Sequence, residues 1–471
     1  MQRMLIRGAT LLTMDPSLGD IADGDLLVEG SRIVAVGPRI EVDPAGAEVL
    51  DATGTIVLPG FVNAHVHLWE IPLRGLGGDW ISSRDYHGNV HRNLAMQYGA
   101  DDVHVANLVG SLNQINGGTT TVLDWCHVVR DAGMTDAAID GIAATGLRAV
   151  FARGTHKPPP DASGAVKPYW ETPYPREELV RLRAGRLSSD DARITLGMAT
   201  LGPDIATYEV ARDEMRLARE FGVVHSAHTW GRRGNRRNED GMWRLAKEGL
   251  LGPDHNIAHG NGLEDDELKM VLDHGCSITA TDLAEMMNSE RIGMLGRVAR
   301  AGGMPSLGTD VCVYFNSSML LELRHAFAHQ READNRELAA RGAWPSEHHA
   351  TRTRDAVEWA TRGGAKALRL EHRIGSLTPG KEADLIMVDT RTMNVFPALP
   401  GGDPYHVVAL YAENADIDSV MIGGDWVKRH GRLLFDADVL AGHQARLLES
   451  RRALMERGGY RYRPEPPGDR P

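Results

Sequence analysis

The chain has 471 residues, 42% hydrophobic and 25% charged, an ordinary globular composition that excludes chain-wide disorder and collagen-like repeats. Lys and Arg number 52 against 64 Asp and Glu, a net charge of −12, which argues against nucleic acid or an acidic membrane as partner. Only three cysteines occur, Cys126, Cys276 and Cys312, so a disulfide scaffold is excluded and a reducing, cytoplasmic location is expected.

Residues 1–58 read as short strands. MLIRGATLLTM, GDLLVEGSRIVAVG and EVLDATGTIVLP cluster or alternate β-branched and apolar residues between Gly and Asp turns. The opening stretch lacks the pattern of a secretory leader, and no later run reaches the ~18 apolar residues of a membrane span. From residue 60 the pattern changes to apolar runs separated by helix-length spacers: GFVNAHVHL (60–68), TTTVLDW (119–125), LRAVFARG (147–154), ITLGMATLG (194–202), VVHSAH (223–228), NIAHG (256–260), CSITAT (276–281) and MPSLGTD (304–310). Eight such runs predict βαβ units closing a (β/α)₈ barrel over residues 59–373. The Pro-rich stretch 155–185 reads as a long loop over one barrel end. Residues 374–436 return to strand character. The fold class expected is therefore α/β: a TIM barrel with a small β-sandwich built from both chain ends, 1–58 and 374–436. A C-terminal helix at 437–457 and a flexible or subunit-docking tail to 471 complete the expected organisation.

Histidine is the unusual residue, with 20 copies. His65 and His67 stand two apart in a strand and point to one face, so both can reach one metal. Alone, that pair is weak. Placement strengthens it: His228, His259 and Asp310 each end another predicted barrel strand, at the face where barrel active sites are built.

Several longer stretches resemble the amidohydrolase superfamily, in its branch of cytosine deaminases and atrazine-type chlorohydrolases. They are VLPGFVNAHVHL (57–68), GGTTTVLD (117–124), NIAHGNGL (256–263), SLGTD (306–310) and the segment 360–389. The resemblance implies that His65, His67, His228 and Asp310 hold one divalent metal. Zinc suits that set, and iron, cobalt or manganese also fit. Binuclear relatives carry a bridging lysine on the fourth strand; ITLGMATLG has none. The resemblance also implies catalytic roles for Asp310, as proton acceptor and donor, and for His259, which orients the water or stabilises an oxyanion. A homo-oligomer acting on a small molecule is the assembly implied.

One departure shapes the functional expectation. Ring deaminases of this branch read H-x-x-E at the fifth strand, whereas here His228-Thr229-Trp230-Gly231 places glycine where the acid belongs. His225 precedes by an odd number of positions and should face the other way. A carbonyl electrophile needs no ring protonation. Hydrolysis of an amide-, urea- or carbamate-like C–N bond is therefore expected, with deamination or dechlorination of a nitrogen heterocycle and a non-catalytic binding barrel as alternatives. Trp69, Trp80, His127 and His156 are candidate substrate contacts; simple packing is the alternative for the tryptophans, a supporting hydrogen bond for His127 and a surface loop for His156. Asp282 and Glu285 fit a helix start as well as a pocket wall. RRGNRR (232–237) reads as a solvated loop, with attraction of an anionic substrate as the alternative.

Overall fold

A computed structural model describes residues 3–42, 46–80, 82–157, 163, 165, 167–232, 234–288, 293–399 and 401–461. Part of the Pro-rich stretch, and the tail from 462 onward, lie outside the described residues. Five strands come first: β1 (Arg3–Leu11), β2 (Ile21–Glu29), β3 (Arg32–Gly37), β4 (Glu48–Asp51) and β5 (Thr55–Pro59). The barrel follows as β6 (Phe61–Val66), β7 (Thr119–Cys126), β8 (Arg148–Gly154), β9 (Ile194–Thr200), β10 (Val224–Thr229), β11 (His255–His259), β12 (Ser277–Ala280) and β13 (Ser306–Leu307). Four more strands close the set: β14 (Leu385–Asp389), β15 (Ile417–Ile422), β16 (Asp425–Arg429) and β17 (Arg432–Leu433).

Strands β6 to β13 hydrogen-bond in sequence order as one eight-stranded parallel sheet. Its two edges meet at an isolated bridge between Val66 and Asp310. The Asp310 N–H donates to the His65 carbonyl at 3.0 Å, and the His67 N–H donates to the Asp310 carbonyl at 3.1 Å. Gly308 permits this approach, because a Cβ there would lie 2.6 Å from the His65 carbonyl oxygen. The eighth strand is shorter than the run 304–310 suggests. Asp310 adopts a left-handed backbone, φ 52°, and leaves the extended conformation that a longer ladder needs.

The small domain is a nine-stranded mixed sheet in the order β17-β16-β15-β14-β5-β1-β2-β3, with β4 pairing to β1. The two ends of the chain join where β5 runs antiparallel to β14, Val57 opposite Met387. Side chains alternate across this seam, as a pleated strand requires. Val57, Leu385 and Met387 pack with Met4, Ile6, Leu26 and Val28 into a core of their own. Their neighbours Ile56, Leu58, Ile386 and Val388 join the main core instead.

Within the Pro-rich stretch the chain is not all loop: Arg176–Ala184 is a helix that buries Leu179 and Leu182. Downstream, helix Ala437–Arg457 buries Ser450 and Leu454. Its Arg451 donates to the carbonyls of Pro72 (2.7 Å) and Arg74 (2.8 Å), pinning the segment that leaves β6. Among the described residues, no helix is long and apolar enough to cross a membrane.

Candidate metal centre

His65 and His67 share one face at the end of β6, His228 lies near the end of β10, and Asp310 follows β13. Parallel strands bring all of their C-terminal ends to one rim, so residues far apart in sequence converge there. The ligand-capable atoms of His65, His67, His228 and Asp310 lie within 4.8 Å of one another, three of the residues buried and His228 half-buried. Asp310 Oδ1 is 3.2 Å from His65 Nε2 and 3.3 Å from His67 Nε2. The His67 Nδ1–H donates to the Trp125 carbonyl at 2.7 Å, which leaves Nε2 free to act as a ligand.

The electrostatics follow from burial around one carboxylate. Burial lowers His65 to about 4 and, with neighbouring imidazoles, pushes His228 well below the usual histidine value. For His67, burial also opposes the charged form, but the hydrogen bond and charge of Asp310 outweigh it and raise the group. Burial would raise Asp310, yet its bonds to His65 and His67 hold it well below the usual carboxylate range. Three imidazole nitrogens and one ionised carboxylate on this spacing fit a single divalent cation. The facing strand β9 offers no lysine.

His259 ends β11 with φ 71°. Left-handed histidines are uncommon, and such backbones cluster at functional sites. Its ring centroid lies 5.3 Å from that of His65 and 5.4 Å from that of His228. The Trp230 ring lies against it at 3.8 Å, and His259 Nε2 is buried without a hydrogen-bond partner.

Gly231 carries no acid, and its surroundings leave little room for one. A Cβ there would lie 2.7 Å from Arg236 Cγ and 3.1 Å from Asp204 Oδ2. Asp204 accepts the Gly231 N–H at 2.9 Å, and Arg236 Nε donates to the Gly231 carbonyl at 2.5 Å. Arg236 also places Nη1 2.7 Å from both Glu267 oxygens. This arginine of the RRGNRR stretch is therefore buried, not solvated, because a carboxylate and two carbonyls satisfy its guanidinium. His225 points away from the centre, as strand parity predicts, and meets His255 Nδ1 to Nδ1 at 3.0 Å.

A description of the amidohydrolase family matches residues 56–427. The chain belongs to the amidohydrolase family. It is 28% identical over 452 residues to a 5-methylthioadenosine/S-adenosylhomocysteine deaminase of Symbiobacterium thermophilum, covering 90% of this chain and 93% of the relative. Against a 5'-deoxyadenosine deaminase of Methanosarcina barkeri it is 25% identical, covering 97% and 98%. Two solved structures share the fold. An adenosine deaminase from Xanthomonas campestris with bound zinc gives a TM-score of 0.80 at 21% identity, covering 96% and 98%. An atrazine chlorohydrolase from Arthrobacter aurescens TC1 complexed with zinc gives 0.78 at 22% identity, covering 94% and 100%.

Around this amidohydrolase centre the sequence candidates separate. Trp69 is fully buried, its ring against Tyr98 and His127. His127 sits 5.0 Å from the His67 ring and 3.2 Å from His91 Nδ1. His156 shares a small cavity with His91, His127 and Lys157. Trp80 packs edge-on against Tyr314. Two acids emerge that sequence reasoning missed or left open. Glu285 lies buried 3.5 Å from His259 Nδ1. Glu70, one turn past His67, is fully buried, accepts the Tyr86 hydroxyl at 2.6 Å and leaves Oε2 without a partner. Burial pushes the Glu70 carboxyl up to about 7, against the opposing pull of His67 and Tyr86. The H-x-H-x-x-E spacing was the one sequence signal for it.

Proposed function

We propose that this amidohydrolase cleaves the C–N bond of a small amide-, urea- or carbamate-like molecule at a centre held by His65, His67, His228 and Asp310. The observation that carries the reading is the pairing of that cluster with a glycine hemmed in by Arg236 and Asp204 at position 231. Zinc is the ion proposed, on the three-imidazole, one-carboxylate set. When bound, such a cation supplies Lewis acidity that makes water a nucleophile near neutral pH. Asp310, held ionised by His65 and His67, accepts the proton of that water and later returns it to the leaving nitrogen. His259 faces the same space and orients the attacking water. Trp69, Trp80, His127 and His156 are proposed as substrate contacts, His127 and His156 on their shared cavity. A homo-oligomer is proposed from the family likeness. A cytoplasmic location is proposed on three free, buried cysteines.

A second reading rests on Glu70. A buried carboxyl pushed up to about 7 can protonate a ring nitrogen, which favours deamination of an aminated heterocycle, in keeping with the names of the relatives. The test is a panel of ureas, carbamates and anilides against aminopyrimidines and aminopurines. Hydrolysis of carbonyl substrates with no ammonia from the rings supports the first reading. Ammonia released only from the rings, and lost in Glu70→Gln, replaces it with the second.

A further inference from the structure

The Nδ1 side of His259 faces a chain of buried hydrogen-bonding groups. Thr281 Oγ1 lies 3.0 Å from Nδ1, and the same hydroxyl lies 3.4 Å from Glu285 Oε1. Glu285 is itself held from two directions. Its Oε1 accepts the Thr281 backbone N–H at 2.7 Å, and its Oε2 accepts the Asn261 side-chain amide at 3.0 Å. Those contacts tie the carboxylate to the segments following both β11 and β12. Both His259 and Glu285 are buried, so water does not compete for these bonds.

The direction of the chain of hydrogen bonds follows from donor and acceptor inventory. A carboxylate only accepts. The Thr281 hydroxyl therefore gives its hydrogen to Glu285 and turns a lone pair to His259. An oxygen lone pair at 3.0 Å requires a hydrogen on Nδ1. A neutral imidazole has one hydrogen, so Nε2 is left bare. Nε2 is the atom buried without a partner beside the His65 and His228 rings.

We infer that Glu285, acting through Thr281, is a positioning residue that fixes His259 as its Nδ1–H tautomer and presents Nε2 to the substrate as a hydrogen-bond acceptor. This deepens the proposed function and rests on it for the role of the site. His259 then accepts a hydrogen from water or from a substrate N–H in the resting state, and donates to an oxyanion only after gaining a proton. Trp230 packed on the ring face and the backbone at φ 71° hold the ring plane while the relay holds the tautomer.

The experiment is nitrogen-15 NMR of histidine-labelled protein, metal-free and zinc-loaded, with the His259 signals assigned by their loss in His259→Gln. The expected result is a protonated Nδ1 and a bare Nε2. Glu285→Gln and Thr281→Val should each populate the other tautomer, while Thr281→Ser restores the wild-type pattern. Metal content should be unchanged throughout. Once a substrate is in hand, both disruptive variants should lower kcat about 10–100-fold, typical for partners one shell out, with KM within about twofold. A protonated Nε2 in the wild type, or tautomers unchanged in both Glu285→Gln and Thr281→Val, overturns the inference. Because the spectra need no substrate, they stand apart from any failure of the proposed reaction.

Discussion

Arg148 of β8 forks onto Asp384 of the small domain, Nε to Oδ2 at 2.7 Å and Nη2 to Oδ1 at 3.0 Å. The same Nη2 reaches Glu382 at 2.9 Å, and Asp384 also accepts the Gly423 N–H at 2.7 Å. Arg373 holds the other oxygen of Glu382 at 2.9 Å, so four charges are buried together at the joint between barrel and sheet.

Removing Arg148 leaves Asp384 without its cation, while Glu382 keeps Arg373. Arg148→Met should therefore destabilise the fold by about 3–5 kcal/mol. Urea denaturation measures this. Metal content per folded molecule should not change, because the clamp lies away from the proposed ligands His65, His67, His228 and Asp310.

Asp310 serves two purposes at once. Its main chain closes the barrel and its carboxylate faces the imidazoles. Asp310→Asn keeps the backbone bonds and removes the charge. It should leave the far-ultraviolet circular dichroism intact while metal affinity falls by more than the 10–100-fold seen on losing an outer partner. Metal analysis after gel filtration checks it, and full stoichiometry would refute the ligand assignment.

Gly231 reports on space. A Cβ there meets Arg236 Cγ at 2.7 Å, in a packed setting with its own Glu267 and carbonyl partners. Gly231→Ala should cost about 1–3 kcal/mol, as overpacking does, measured by thermal or urea unfolding. A neutral result would mean that Arg236 moves freely, which its bonds argue against.

Acid sensitivity should come from the lower end of the barrel. Burial depresses His225 to about 3 and His255 well below the usual value. Both stay neutral when folded, whereas the unfolded chain protonates them near 6.5. Below that pH the unfolded state binds more protons, so stability is present above 6.5 and is lost as pH falls toward 3. Each group contributes about 1.4 kcal/mol per pH unit. His225→Gln should flatten the decline between pH 6.5 and 5, followed by urea unfolding at stepped pH. An unchanged slope would count against it.

The sequence revealed the barrel strands and the four-residue cluster because two periodicities spoke clearly. A spacing of two put His65 and His67 on one face, and strand ends put His228 and Asp310 beside them. What it hid has a physical pattern. Asp282 and Glu285 carry the signature of a helix start, and only the turn after β12 shows that Glu285 aims at His259. Glu70 follows His67 through a 3₁₀ turn, a geometry too short to show in hydropathy. Arg236 looks like one of a solvated cluster until Glu267, distant in sequence, is placed against it. Helix Arg176–Ala184 was masked by the prolines before it.

The grip of Arg451 on Pro72 and Arg74 spans 379 and 377 positions of sequence. During synthesis, His65, His67 and the segment beyond them leave the ribosome early, while helix Ala437–Arg457 and strand β14, the partner of β5, arrive near completion. A nascent or truncated chain therefore has His65 and His67 in place without the brace on the segment that follows them.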